Sequence, residues 1–226
     1  MKRTLFITGT DTGVGKTMLT VLLTQFLRER GVNVAGLKPI CSGSRDDARK
    51  ILAAMKGTLL LNEINPWHFR APIAPLLSAR KENKRVKFSQ VLTHVRTMQK
   101  RFDILLMEGA GGLLSPLGEN FNSRDLIVSL RATSIIVCPN RLGAVNQVLL
   151  TLAALPKNLR AKARVVLMSP PRPDASAKTN ASLLAEFFDA QRIFSLPHFG
   201  RKVGAVRVLK IPRVHRMLRA LTEKVI

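Results

Sequence analysis

The sequence predicts an α/β sandwich, a parallel sheet flanked by helices on both faces. Three observations lead there. The stretch "FITGTDTGVGKTMLT" (Phe6 to Thr20) joins an apolar strand to an amphipathic helix through a glycine turn. Continuous apolar runs recur along the chain, of the kind that strands buried on both faces require. Segments of helical spacing separate those runs, and alternation of this sort favours crossover connections and parallel pairing.

The elements read off in order. An apolar run from Thr4 to Thr8 is the first strand, and Met18, Leu19, Leu22, Leu23, Phe26 and Leu27 mark a helix opened by Lys16-Thr17 and ended at Gly31. "VNVAGLKP" is a second strand closing at Lys38-Pro39; Asp46 to Met55 is a short helix, and Ser89 to Phe102 a longer one with Ser89 as its cap. "DILLMEGAGG" is a strand that delivers Glu108 to a glycine turn. "TSIIVCP" and "ARVVLMS" are two further strands, separated by the helical "GAVNQVLLTLAAL". Ser169 to Thr179 reads as a loop rich in Pro and small residues. "VGAVRVLKI" looks extended, and Pro212 opens a last helix with Val214, Met217, Leu218 and Leu221 on its apolar side. Arg207, Lys210, Arg213, Arg216 and Arg219 recur every third residue, a basic stripe that the extended segment would break. A solvated helix face explains such a stripe as simply as a partner does.

A chain of 226 residues suffices for one domain, and residues 1–226 are expected to form one. No run of 18 apolar residues indicates a spanning helix, and Met1 leads straight into a strand without the apolar core of a secretion signal; a cytoplasmic protein is the expectation. Cys41 and Cys138 lie far apart and lack metal-ligand spacing, which argues for packing thiols. The 37 Lys and Arg against 14 Asp and Glu give a formal charge of +23, a field that attracts phosphate and allows non-specific nucleic-acid binding. Yet the cations are scattered, and 10 Phe, one Trp and no Tyr form no stacking platform, so a nucleic-acid partner is not favoured.

The glycine turn has the chemistry of a phosphate loop. Glycines let backbone N–H groups close on a triphosphate, Lys16 is a point charge for the outer phosphates, and the Thr17 hydroxyl can ligate Mg²⁺. Five residues separate Gly9 from Gly15 where the usual pattern has four, a lengthened variant. In a parallel sheet the loops after neighbouring strands form one crevice, which here would gather Lys16 and Thr17, Lys38 with Ser42 and Asp47, and Glu108 with Gly109, Gly111 and Gly112. Thr17, Asp47 and Glu108 are a hard-oxygen set suited to Mg²⁺ on nucleotide phosphates, and two lysines suit phosphoryl transfer. Asp47 could equally be a helix N-terminal charge. His94, among polar neighbours, is expected to be exposed, and His68 to pack; neither is given a catalytic role.

Five segments in order, "TGTDTGVGKT", "GLKPICSG", "INPWHFRAPIAPLLSA", "MEGAGGLLSPL" and "NRLGAVNQVLLT", resemble dethiobiotin synthetase, a P-loop NTPase-like family. The resemblance covers nearly all of residues 1–157 and weakens after. It implies an ATP- and Mg²⁺-dependent ligase that closes the ureido ring of dethiobiotin from 7,8-diaminopelargonate and CO₂. It also implies a homodimer with the diamine at the subunit interface. On that resemblance Thr12, Lys16 and Lys38 are catalytic, Thr12, Gly13, Val14, Gly15, Lys16, Thr17, Glu108 and Pro197 bind nucleotide, and Thr17, Asp47 and Glu108 hold the metal. Lys38, Ser42 and Gly111 meet the substrate, with Asn146 from the other subunit at its tail carboxylate.

Two departures stand out. Gly13 replaces an acidic residue frequent in the family's loop, and Met168-Ser169 stands where an Asn-Asp pair commonly helps read adenine, so selectivity for ATP is expected to be relaxed. A ParA/MinD-like nucleotide switch with non-specific DNA binding shares the architecture. Such proteins carry an extra lysine at the position of Asp11 and an acidic residue after the second strand, where this chain has Lys38-Pro39. A cobyrinate-type amidase would carry a glutaminase domain besides.

Overall fold

The computed structural model describes residues 3–200 and 203–223. The first half of the chain runs β1 (Arg3–Gly9), α1 (Lys16–Glu29), β2 (Val34–Leu37), β3 (Ile40–Ser42), α2 (Asp46–Met55), α3 (Leu61–Ile64), β4 (Trp67–Phe69), α4 (Pro75–Lys81), α5 (Phe88–Arg101) and β5 (Ile104–Glu108). Then follow β6 (Pro116–Gly118), β7 (Phe121–Asn122), α6 (Ser123–Leu130), β8 (Thr133–Pro139), α7 (Ala144–Ala153), α8 (Lys157–Arg160) and β9 (Arg164–Met168). The chain continues through α9 (Asn180–Ala185), β10 (Ile193–Leu196), α10 (Ala205–Leu209) and α11 (Pro212–Thr222).

Six strands form one sheet in the order β10-β9-β8-β1-β5-β2, every pairing parallel. The predicted α/β class follows from side-chain alternation on strands buried on both faces. Phe6, Leu105, Met107, Ile136, Cys138 and Val165 point into a core shared with α2, α5, α6 and α7. Leu5, Ile7, Leu106, Ile135, Val137 and Val166 point into the other, closed by α1, α10 and α11. Both cysteines are free and buried. Among the described residues no helix is long and apolar enough to cross a membrane.

Helix α1 stops where Gly31 predicts. At φ +75° Gly31 donates to the carbonyl of Arg28 and Val32 donates to that of Leu27, which satisfies the last turn through a left-handed residue that glycine adopts at little cost.

Several expectations are corrected. The segment that looked extended folds as α10, because Val208 and Leu209 bury together against α1. The basic stripe is therefore divided between two helices, not between a strand and a helix. Helix α5 begins at Phe88 with no side-chain cap from Ser89; Phe88 is held there by Phe121, ring centroids 5.3 Å apart. His94 is half-buried, its ring edge-on to Trp67 and its Nε2 2.9 Å from the Glu63 carbonyl. Part of the loop between Ser169 and Thr179 is a 3₁₀ turn, Ala175–Lys178.

Candidate active site

The loop from Gly9 to Lys16 sits at the carboxyl end of β1, in the middle of the sheet. Gly13 and Gly15 take φ of +73° and +102°. At Gly15 the left-handed backbone favours glycine, while an added Cβ would meet, at 2.8 Å, only the end of the flexible Met168 side chain, which can move aside. Val14 is buried under the loop. Lys16 and Thr17 open α1, and the Lys16 ammonium folds back on its own loop, donating to the Asp11 carbonyl at 2.8 Å.

Neighbouring strands bring the other charges to the same place. Glu108 ends β5 and Lys38 follows β2, which flanks β5 on its other side. The Lys38 Nζ donates to Glu108 Oε1 at 2.7 Å and to Asp47 Oδ2 at 2.6 Å, and the Thr17 hydroxyl donates to Glu108 Oε1 at 2.7 Å. Asp47 lies in the first turn of α2, so it complements the helix dipole and pairs with Lys38 at once.

Burial sets the electrostatics. For Lys16 it is the largest influence and pulls the pKa from 10.5 to about 8; the Glu108 carboxylate resists and the Lys38 ammonium adds to the fall. For Lys38 burial also opposes the charge, but the Glu108 and Asp47 carboxylates outweigh it and hold the ammonium above its ordinary range. Asp47 is likewise penalised by burial, and the Lys38 charge and hydrogen bond, with the Thr17 hydroxyl, more than compensate and keep it ionised.

These groups line one cleft of about 730 Å³. Thr12, Gly13 and Gly15 to Met18 line it together with Pro72 to Pro75, Gly111, Ser115 and Pro116. Ser42 lies in it and donates to the Ile73 carbonyl at 2.5 Å. Gly111, at φ +70°, makes the tight turn, and Ser115 Oγ accepts from the Gly112 N–H at 2.9 Å. The cleft thus brings together Thr12, Gly13, Gly15, Lys16, Thr17, Lys38, Ser42, Asp47, Glu108 and Gly111. It does not include Val14, buried beneath the loop, Pro197, half-buried after β10, or Asn146, exposed on α7. Cys41, Ser44, Lys50, Ile73 and Ser115 also line the cleft without having been singled out by their chemistry; all but Ser44 and Lys50 fall inside the segments that carry the family resemblance.

A divalent cation fits this donor set. Glu108 is 1% exposed, and its Oε2 has no hydrogen-bond partner, an orphaned acceptor that costs free energy until a cation or donor reaches it. Among the described residues no group of three or more His, Cys, Asp or Glu is placed to hold a metal. Thr17 with two carboxylates would therefore share the ion with phosphate oxygens and water, the pattern Mg²⁺ favours.

Residues 3–208 match the AAA domain family. The ATP-dependent dethiobiotin synthetase BioD of Akkermansia muciniphila is 36% identical over 197 residues, 87% of this chain and 92% of that protein. The protein of the same name from Anaeromyxobacter dehalogenans is 35% identical over 220 residues, 92% of this chain and 99% of its own. Among solved structures, pNOB8 ParA bound to nonspecific DNA matches with a TM-score of 0.58 and 13% identity over 98% of both chains, a likeness of fold alone. With a phosphate loop, a lysine-bridged carboxylate pair in the same cleft and relatives matched over nearly their full length, the chain belongs to the ATP-dependent dethiobiotin synthetase family.

Proposed function

We propose that the chain closes the ureido ring of dethiobiotin from 7,8-diaminopelargonate, CO₂ and ATP, with Mg²⁺ held by Thr17, Asp47 and Glu108. The observation that carries this reading is the Lys38 ammonium, 2.6 and 2.7 Å from two carboxylates and in the same cleft as Lys16. One amine of the substrate adds to CO₂ and loses a proton, giving a carbamate. A carbamate oxygen takes the γ-phosphoryl group, ADP leaves, and the second amine attacks the mixed anhydride and expels phosphate.

Each stage develops negative oxygen, so the work of the side chains is positioning and charge stabilisation. Lys16 leaves the Asp11 carbonyl for the β- and γ-phosphates. Lys38 draws the carbamate toward the γ-phosphate, with the Thr12 and Ser42 hydroxyls as further donors. When bound, Mg²⁺ would supply charge neutralisation at the phosphate oxygens. Gly111 keeps its turn free of a side chain where the substrate lies, and Pro197 borders the base. No nucleophilic side chain is needed, in keeping with two buried cysteines.

The tail carboxylate of the substrate would reach Asn146 of a second subunit in a homodimer. The exposed Leu142, in the turn before α7, and Leu150, one helical turn after Asn146, support a protein contact near Asn146. Mass spectrometry tests the function: the protein with diaminopelargonate, bicarbonate, Mg²⁺ and ATP should yield dethiobiotin in equal number with ADP. ATP turnover that ignores the diamine and requires DNA would refute it.

A further inference from the structure

Asn65, between α3 and β4, touches none of the side chains given a catalytic, nucleotide or metal role above, yet it is fully buried and every polar atom of its side chain is used. Its Nδ2 donates to the carbonyl of Lys38 at 2.7 Å and to that of Pro39 at 3.3 Å. Its Oδ1 accepts from Arg45 Nε at 3.0 Å and from Cys41 Sγ at 3.3 Å. The amide has one workable orientation, since exchanging its ends would set its oxygen against two carbonyl oxygens and its NH₂ against the Arg45 N–H.

The two halves of this amide hold different parts of the site. Through Nδ2, and with the Lys38 N–H bonded to the Ile64 carbonyl, it clamps the backbone from which the Lys38 side chain departs. Through Oδ1 it holds Arg45, whose Nη2 also reaches the Asn65 carbonyl at 2.6 Å and Asn62 Oδ1 at 2.9 Å. Arg45 directly precedes α2, two residues before Asp47. The Asn65 side chain is thus bonded to both the segment that carries Lys38 and the segment that leads to Asp47. A satisfied buried network of this kind specifies a single arrangement.

We propose that Asn65 is a positioning residue: it sets the distance between the Lys38 ammonium and the Asp47 carboxylate, and so places Lys38 for the reacting oxygens. The inference rests on the function proposed above for Lys38. Asn65→Asp is the sharpest perturbation, because it keeps the acceptor for Arg45 and Cys41 and sets a carboxylate oxygen against the Lys38 and Pro39 carbonyls. Asn65→Ser removes both functions without adding charge, and stands in should the aspartate variant not fold.

The expected result is a split. The turnover number falls about tenfold to hundredfold, the loss that displacement of a catalytic group by around an ångström causes. The dissociation constant for ATP measured without Mg²⁺ stays within about threefold, because the phosphate loop is built from Gly9 to Thr17 and makes no bond to Asn65. A crystal structure of the variant reads the geometry without reference to any reaction, and should show Lys38 Nζ out of hydrogen-bonding range of Asp47 or Glu108. Failure of the unmodified protein to make dethiobiotin would bear on the proposed function alone. The positioning role is overturned if the folded variant keeps wild-type turnover, or if both Lys38 contacts stand unchanged in its structure.

Discussion

Replacing Glu108 with glutamine probes the charge arrangement in a way the structure makes quantitative. Glutamine matches the shape, and its oxygen can still accept from Thr17 and Lys38, so the change is one of charge. Lys38, whose side chain is 7% exposed, would keep only Asp47, whose side chain is 42% exposed and whose attraction water screens. Removing one partner of a buried ion pair costs about 3–5 kcal/mol, and the surviving Asp47 places this case near the lower end, about 3 kcal/mol. In a chain of this length that lowers the melting midpoint by about 6–12 °C. The assay is thermal unfolding followed by circular dichroism without nucleotide, together with ATP titrations with and without Mg²⁺. The tightening of ATP binding by Mg²⁺ should also weaken by at least about tenfold, some 1.4 kcal/mol. A midpoint within about 1 °C of the wild type, with the Mg²⁺ effect intact, would refute the reasoning.

Lys16 predicts a pH dependence. Its pKa of about 8 in the free protein lies below the ordinary 10.5, mainly through burial, and a bound phosphate favours the charged form. ATP should bind with uptake of a proton near pH 8, and its dissociation constant should rise toward about tenfold per pH unit above that; calorimetry in buffers of different ionisation heat measures both, and a flat profile to pH 9.5 would contradict it. Because the unfolded chain holds the Lys16 proton more tightly, this residue's contribution to stability of the free protein rises with pH between about 8 and 10.5. Met168 packs on Gly15 and offers no hydrogen-bonding amide, so initial rates with ATP, CTP and GTP should be similar; a preference above about a thousandfold for ATP would count against it. Asn146→Asp should raise the KM for the diamine about tenfold or more and leave that for ATP unchanged, as repulsion of the tail carboxylate requires; equal effects on both would remove Asn146 from the substrate site.

The parts of the fold and site legible in the sequence were those set by local chemistry. The turn between Gly9 and Lys16 is dictated by glycines and a helix start, and Glu108 was identifiable because an acid ending an apolar strand before a glycine turn has few structural reasons to be there. Lys38 followed from the rule that loops at the carboxyl ends of parallel strands share one crevice and from the family resemblance, and the structure places β2 beside β5 so that their ends meet. What escaped depended on contacts distant in sequence. His94 is half-buried because Trp67 and Glu63 come to it from another segment. α10 holds two valines in a pattern that also suits a strand, and only packing on α1 decides between them. β10 is a four-residue edge strand with Ser195 exposed, too brief to stand out from a loop. Asn65 is the sharpest case: a lone asparagine before a proline reads as a turn, and its bonds to Lys38 and Arg45 appear only when three segments are folded together.

The most direct measurement is a crystal structure with a non-hydrolysable ATP analogue, Mg²⁺, diaminopelargonate and bicarbonate. The Nζ atoms of Lys16 and Lys38 should each lie about 3 Å from an oxygen of the γ-phosphate or the carbamate, with the metal on Thr17, Asp47 and Glu108. A triphosphate seated in the loop with Lys38 still turned away, contacting only Asp47 and Glu108, would contradict that placement.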